Sequence, residues 1–315
     1  MTAFIIFGLG LITLIVLSLF TAVPVKAAAA EITAIPEKER NKFPLKESPW
    51  GRYWQFIPDG PIEDVLVVVH GTPEVGDCSS VKLSLTYISR WLEFAKQHQL
   101  IVLTPAFDWD NYQMAEGGFR NLYGRHCGAD EFVINLVNRY KHVVTDFDGR
   151  FYLYGHSAGG QFSGRFSIRR PQLLKGLILS APGRYAFPDE SLHWPYGMGK
   201  YSTGLDWGNG YVQQIEIEPD LEGWVKASQI PTVIVVGSND LSLQPHYGLE
   251  NMTRIDLAVK YTADMKAFAA QHGKDSLIKL RIVPGATHDT DTTTPAEHEE
   301  LSALIAANRT KKQPL

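Results

Sequence analysis

Short, wholly apolar runs alternate along this chain with longer stretches in which apolar residues recur at helical spacing. Residues 64–70 (DVLVVVH) form a continuous Val-rich run, the pattern of a strand buried on both faces. Behind it, apolar residues at 81, 85, 88, 92 and 95 line one face of a helix predicted over 81–98. Residues 100–105 (LIVLTP) read as the next buried strand. A helix over 130–144 follows, with Asp130 and Glu131 at its positive end. FYLY at 151–154 predicts a strand, and 158–170 a helix that stops before Pro171. Further strands are predicted at 177–180, 232–236 and 277–283, and further helices at 252–271 and 295–308.

Strand–helix alternation of this kind calls for an α/β fold, with a mostly parallel central sheet and helices on both faces. The stretch 182–224 breaks the rhythm. It holds Tyr185, Phe187, Trp194, Tyr196, Tyr201, Trp207, Tyr211 and Trp224 among many Gly and Pro. A long irregular connection on a compact domain is expected to cover or bind, so 183–224 reads as a cap. The other reading is a surface excursion packed by its own aromatics.

The amino-terminal end is different in kind. Residues 3–25 are almost purely apolar, the first charge is Lys26, and Ala27 to Ala30 are small residues suited to a signal-peptidase cut. A basic leading region is missing, and the run approaches the roughly 20 residues needed to cross a bilayer. Residues 1–30 are therefore expected to be a signal peptide or an N-terminal membrane anchor. Either makes the body secreted or periplasmic, or membrane-anchored with its catalytic domain outside the cytoplasm. The charged, Pro-containing stretch 31–49 reads as a linker to a domain over 50–310. Export makes a Cys78–Cys127 disulfide plausible, stabilising by about 4 kcal/mol through loop closure; two unpaired buried thiols are the other reading.

Composition narrows the function classes. With 30 basic against 34 acidic residues and a net charge of −4, no Lys/Arg block is long enough to follow a phosphate backbone, so no nucleic-acid partner is expected. No GxGxxG, GxxxxGK[ST] or HExxH pattern occurs, so no cofactor and no metal are expected.

The strongest local signal is Gly155-His156-Ser157-Ala158-Gly159, a G-x-S-x-G set between a predicted strand and a predicted helix. There Ser157 would occupy a sharp turn with glycines admitting the backbone on either side. A serine hydroxyl is a poor nucleophile unless a base and an orienting acid attend it. Asp240 follows the strand 232–236 in Gly237-Ser238-Asn239-Asp240, and His288 follows the strand 277–283 in Gly285-Ala286-Thr287-His288. All three residues fall beyond carboxyl ends of strands, where open α/β sheets put their sites. Asp289 and Asp206 are competing acids, and His246 and His298 competing bases, the last expected to face solvent. An oxyanion needs two amides. Ala158 is expected to supply one, and the loop His70-Gly71-Thr72-Pro73 the other, from Thr72 or, second, Gly71. The bland alternative makes that loop a tight turn only. Arg120 and Arg125 could add positive charge to the rim.

With these motifs in order, the chain from about Pro58 to Ala307 resembles an alpha/beta-hydrolase. HGTP, GHSAG, GSND and GATH come in that family's order, Ser then Asp then His. The stretches 181–189 and 194–197 are similar to esterase and polyhydroxyalkanoate-depolymerase branches. The resemblance implies a serine hydrolase acting through an acyl-enzyme on a small or polymeric carboxylic ester. A serine peptidase or a silent binding protein on the same fold remain the alternatives.

Overall fold

The computed structural model describes residues 43–75, 79–244 and 249–310. The expected signal or anchor, Cys78 and His246 lie outside them. Among the described residues no helix is long and apolar enough to cross a membrane.

Eight strands form one sheet in the order β1-β2-β4-β3-β5-β6-β9-β10. They are β1 (Leu45–Ser48), β2 (Gly51–Phe56), β3 (Asp64–Val69), β4 (Leu100–Pro105), β5 (Phe151–His156), β6 (Leu174–Ser180), β9 (Thr232–Gly237) and β10 (Ile278–Val283). From β4 onward every neighbouring pair is parallel, while β1 and β2 add an antiparallel edge. The helices longer than one turn are α1 (Ser79–Arg90), α2 (Leu92–His98), α3 (Ala129–Arg139), α4 (Ala158–Arg169), α5 (Leu221–Ser228), α6 (Arg254–Gln271) and α7 (Thr290–Thr310).

Every residue of β3, β4, β5, β6 and β9 is buried. That is why these strands read as unbroken apolar runs. Their side chains divide between two cores, one on each face. Val65, Val67 and Val69 join Phe132, Phe162 and Phe166 on one side. Leu66 and Val68 join Trp54, Trp91 and Leu301 on the other.

Several expected boundaries move. The linker ends early: Leu45–Ser48 pairs with Gly51–Phe56 as a hairpin that extends the sheet, and Trp54 fastens it by donating its indole N–H to Val81 at 2.8 Å. The helix expected over 81–98 breaks at Trp91 into α1 and α2. The last helix starts at Thr290 and carries Pro295 inside, at the cost of one backbone bond near its start.

The excursion contains a second, two-stranded antiparallel sheet, β7 (Tyr201–Asp206) with β8 (Val212–Ile217), and a cis Trp194–Pro195 bond. Its Trp194, Trp207 and Trp224 are buried. The hairpin tip rests on the main body, where Tyr211 donates to the Arg125 carbonyl at 3.4 Å and its ring lies beneath the Arg125 guanidinium.

Candidate active site

Ser157 sits where β5 gives way to α4, with φ 53° and ψ −109°. Such a backbone costs a residue with a side chain about 1–3 kcal/mol and persists only where its surroundings hold it. Two bonds do so here: Ser157 N–H donates to the Ser180 carbonyl at 2.8 Å, and Gln161 N–H to the Ser157 carbonyl at 3.1 Å. The flanking glycines are demanded by space. A Cβ on Gly155 would lie 2.1 Å from the Gly159 carbonyl oxygen, and one on Gly159 would lie 2.3 Å from that of Val69.

Asp240 and His288 come from the loops after β9 and β10. These are parallel neighbours with Gly237 opposite Val283, so their carboxyl ends release both loops side by side. Gly237 lets the loops touch, since a Cβ there would be 2.3 Å from the Ala286 carbonyl oxygen. The structure brings the three side chains into one file. His288 Nδ1 is 2.8 Å from Asp240 Oδ2, and its Nε2 is 3.1 Å from Ser157 Oγ. With the carboxylate accepting, Nδ1 carries the proton and Nε2 is left to accept from the serine hydroxyl.

Asp240 is only 2% exposed. Its other oxygen, Oδ1, accepts from Nη1 of Arg254, which is itself buried at the start of α6. Burial pushes the Asp240 carboxyl up, but the hydrogen bond from His288 and the charge of Arg254 outweigh it and hold the group below the usual aspartate value. The sequence reading missed Arg254. Its one faint signal is a cation in the first turn of a helix, where the dipole disfavours it.

Behind the imidazole of His288 lies the ring of His156, with centroids 4.7 Å apart. His156 Nδ1 is 2.9 Å from Ser180 Oγ, and Ser180 in turn bonds to the buried Glu297. Burial, and then the neighbouring His288, keeps His156 well below the ordinary histidine value, and burial pushes the Glu297 carboxyl up. The ring packed against His288 is therefore a neutral imidazole near neutral pH.

The loop after β3 closes the site from the other side. A Cβ on Gly71 would lie 3.7 Å from that of Ser157, an ordinary contact distance, so the loop runs directly beside the nucleophile, and 3.1 Å from the Tyr87 hydroxyl, which would have to give way. Phe107 N–H donates to His70 Nε2 at 3.2 Å, which fixes the tautomer and leaves Nδ1–H to donate to the Gly71 carbonyl at 2.7 Å. In a planar trans peptide the next N–H points opposite to that carbonyl. The Thr72 amide is therefore turned away from the His70 ring. Ala158 opens α4, where the first amides have no carbonyl within the helix to bond. The arrangement can thus make a hydroxyl nucleophilic beside backbone donors.

The competing candidates lie elsewhere. Asp289 accepts from Asp291 N–H at the head of α7, and Asp206 from Gly208 N–H in the β7–β8 turn. His298 corrects an expectation. Instead of facing solvent it is half-buried, its ring 4.6 Å from Trp91 and 4.9 Å from Phe94. Arg125 is taken up by the excursion through Tyr211, whereas Arg120 lines a cavity of about 180 Å³ that also borders Thr72 and Phe119. A cavity of about 730 Å³ opens at the amino-terminal edge of the sheet around Asp64, Leu174 and Leu277, and touches none of Ser157, Asp240 or His288. Among the described residues no disulfide is seen, and Cys78, the expected partner of Cys127, lies outside them. Cys127 is a free thiol 3.7 Å from Glu131, and burial followed by that carboxylate pushes it up to about 12.

No protein-family model matches the chain, and no curated protein matches it by sequence. Solved structures do. LpqC, a poly(3-hydroxybutyrate) depolymerase from Bordetella parapertussis, is similar with a TM-score of 0.64 and 20% identity, covering 86% of this chain and 90% of its own. Poly(aspartic acid) hydrolase-1 from Sphingomonas sp. KT-1 is similar with a TM-score of 0.60 and 21% identity, over 82% and 96% of the two chains. The fluorophosphonate-binding serine hydrolase FphF of Staphylococcus aureus gives 0.50 at 12% identity, over 84% and 97%. At these identities the likeness is one of fold. The chain has the alpha/beta-hydrolase fold, with its mostly parallel eight-stranded sheet.

Proposed function

We propose that the protein is a serine hydrolase of carboxylic esters, with Ser157 as nucleophile, His288 as base and Asp240 as the acid that orients it. The observation that carries the reading is the hydrogen-bonded file from Asp240 through His288 to Ser157 Oγ, ending at a strained turn. His288 Nε2 takes the Ser157 proton as Oγ adds to the ester carbonyl carbon. The amides of Thr72 and Ala158, with Gly71 as second choice for the former, stabilise the negative oxygen. Such a donor is worth about 3–4 kcal/mol in a well-studied protease. Collapse of the adduct breaks the bond to the alcohol oxygen, which leaves with the proton from His288. Water, deprotonated by His288, then adds to the acyl carbon and releases the acid and free Ser157.

Support for an ester substrate comes from the similar fold of a poly(3-hydroxybutyrate) depolymerase. The apolar run at 3–25 supports action outside the cytoplasm as part of the same proposal. The test is hydrolysis of 4-nitrophenyl butyrate by the wild type and by Ser157→Ala. The expected result is turnover by the wild type that falls to background in the variant, with an unchanged melting temperature. Equal rates in the two proteins would contradict the reading.

A further inference from the structure

Asp240 serves two partners at once, and only one of them is the base. Its Oδ2 meets His288 Nδ1 at 2.8 Å, while its Oδ1 accepts from Arg254 Nη1. The Asp240 side chain is wholly buried and that of Arg254 nearly so, and water therefore screens neither charge well. The buried rings of Tyr185 and Tyr261, stacked with centroids 4.6 Å apart, belong to the same dry surroundings, since the charges of Arg254 and Asp240 both act on the Tyr185 hydroxyl. The hydrogen-bonded file thus runs over four residues, Arg254, Asp240, His288 and Ser157.

The main chain fastens Arg254 to the same loop. Arg254 N–H donates to the Ser242 carbonyl at 3.1 Å, two residues beyond Asp240, and Gln244 N–H donates to the Met252 carbonyl at 3.1 Å. Thr253 caps α6 in front of it, its hydroxyl accepting from Asp256 N–H at 3.2 Å and its own N–H donating to Asp256 Oδ2 at 2.9 Å. A cation in the first turn of a helix faces the positive end of the dipole. Here the guanidinium goes to the carboxylate that orients the base.

A buried carboxylate partnered by a neutral imidazole alone would tend to hold a proton itself, because burial disfavours its charge. Burial does push the Asp240 carboxyl up, and the hydrogen bond from His288 and the charge of Arg254 reverse this. The cation also cancels part of the carboxylate's field at the ring, which leaves the imidazole free to accept the Ser157 proton. The other groups around the ring do not supply this effect. His156, packed on it from β5, is neutral near neutral pH, and Asp289 accepts from Asp291 N–H at the head of α7. Arg90, on α1, is paired with Asp291 at 2.8 Å.

We propose that Arg254 is a positioning residue of the ester hydrolysis, which shares Asp240 with His288, keeps that carboxylate ionised beside a neutral ring, and so carries activity to lower pH than Asp240 alone would allow. The proposal rests on the serine-hydrolase reading and sets the pH range of that site.

The experiment follows kcat/KM for 4-nitrophenyl butyrate from about pH 8 to about pH 5 in the wild type, Arg254→Gln and Arg254→Lys, with circular dichroism to check the fold. The glutamine keeps a donor for Asp240 and removes the charge, whereas the lysine keeps the charge. In Arg254→Gln the acid limb should move up by about one pH unit, so that activity relative to the plateau falls about tenfold at a given pH on that limb. Arg254→Lys should bring the limb back toward the wild type. A purely structural prop would lower the plateau in both variants and leave the limb in place. An unmoved limb in folded Arg254→Gln, or equal displacement in the two variants, overturns the proposal and leaves ester hydrolysis intact. Arg254→Met provides a second uncharged side chain should the glutamine variant fail to fold. NMR titration of the His288 ring, identified by its loss in His288→Gln, reads the same charge without turnover, and its midpoint should rise by about one unit in Arg254→Gln. If no ester is cleaved but the midpoint moves in this way, the ester reading fails and the coupling of Arg254 to the base stands.

Discussion

Arg254 and Asp240 form a buried ion pair directly behind the imidazole of His288, so that Asp240 spends one oxygen on the cation and the other on the ring. Arg254→Met keeps the length of the side chain and removes its charge. Breaking a buried pair from one side costs about 3–5 kcal/mol, because the remaining charge is left without compensation. Asp240 is held below its ordinary value in the folded state. Its contribution is therefore present above the usual aspartate range and is lost as pH falls through the folded value. The variant should begin losing stability at a higher pH than the wild type. Urea unfolding across an acid pH series measures this, and Arg254→Lys should recover part of the loss.

Buried neutral histidines give the wild type a second acid dependence. His70 is fully buried and lowered to about 4, chiefly by burial. His156 is also held well below the ordinary histidine value, by burial and then by His288. A histidine depressed in the folded state takes up its proton on unfolding first, so stability falls as pH drops from the unfolded value near 6.5 toward the folded one. For His70 alone that amounts to about 3 kcal/mol across the window. Glu297, raised by burial, acts in the opposite sense as a single group. Stability should be flat from pH 8 to 7 and fall steeply between about 6.5 and 4. His70→Phe should flatten part of that slope.

The same substitution has a kinetic consequence. His70 Nδ1–H holds the Gly71 carbonyl, and through it the orientation of the Thr72 amide. Losing an oxyanion donor outright costs about 10²–10³ in kcat, so losing only its anchor should cost about 10-fold to 100-fold. The fall should appear in kcat with KM nearly unchanged, as an interaction made in the transition state requires.

Gly155→Ala tests the turn itself. The added methyl would meet the Gly159 carbonyl oxygen at 2.1 Å, and backbone there cannot step aside without moving Ser157. Overpacking of this kind costs about 1–3 kcal/mol or more. The variant should lose esterase activity together with thermal stability, whereas Ser157→Ala should lose activity alone.

The parts of this fold that could be read from sequence are those whose environment is uniform. DVLVVV and LIVLTP are buried on both faces, so every side chain reports the same surroundings. LKES forms the sheet edge with mixed exposure, and its charged and polar residues resemble a linker, while GRYWQF beside it buries only its central Tyr53 and Trp54 and gives no unbroken apolar run. VQQIEI does alternate, one residue half-buried and the next exposed, but the Gly and aromatic residues around it hid the strand. Ser157, Asp240 and His288 were legible because each follows a strand that was. Arg254 and Glu297 were not, since their partners Asp240 and Ser180 lie 14 and 117 positions away, a distance along the chain that no local pattern records.

The account stands on Ser157 being the one activated hydroxyl of the protein. Reaction with a fluorophosphonate probe, followed by mass-spectrometric mapping of the adduct, asks this directly. The account predicts a single adduct on Ser157 in the folded wild type and none in Ser157→Ala or in the unfolded chain. A folded wild type that takes up no probe, or takes it up at another residue, would contradict it.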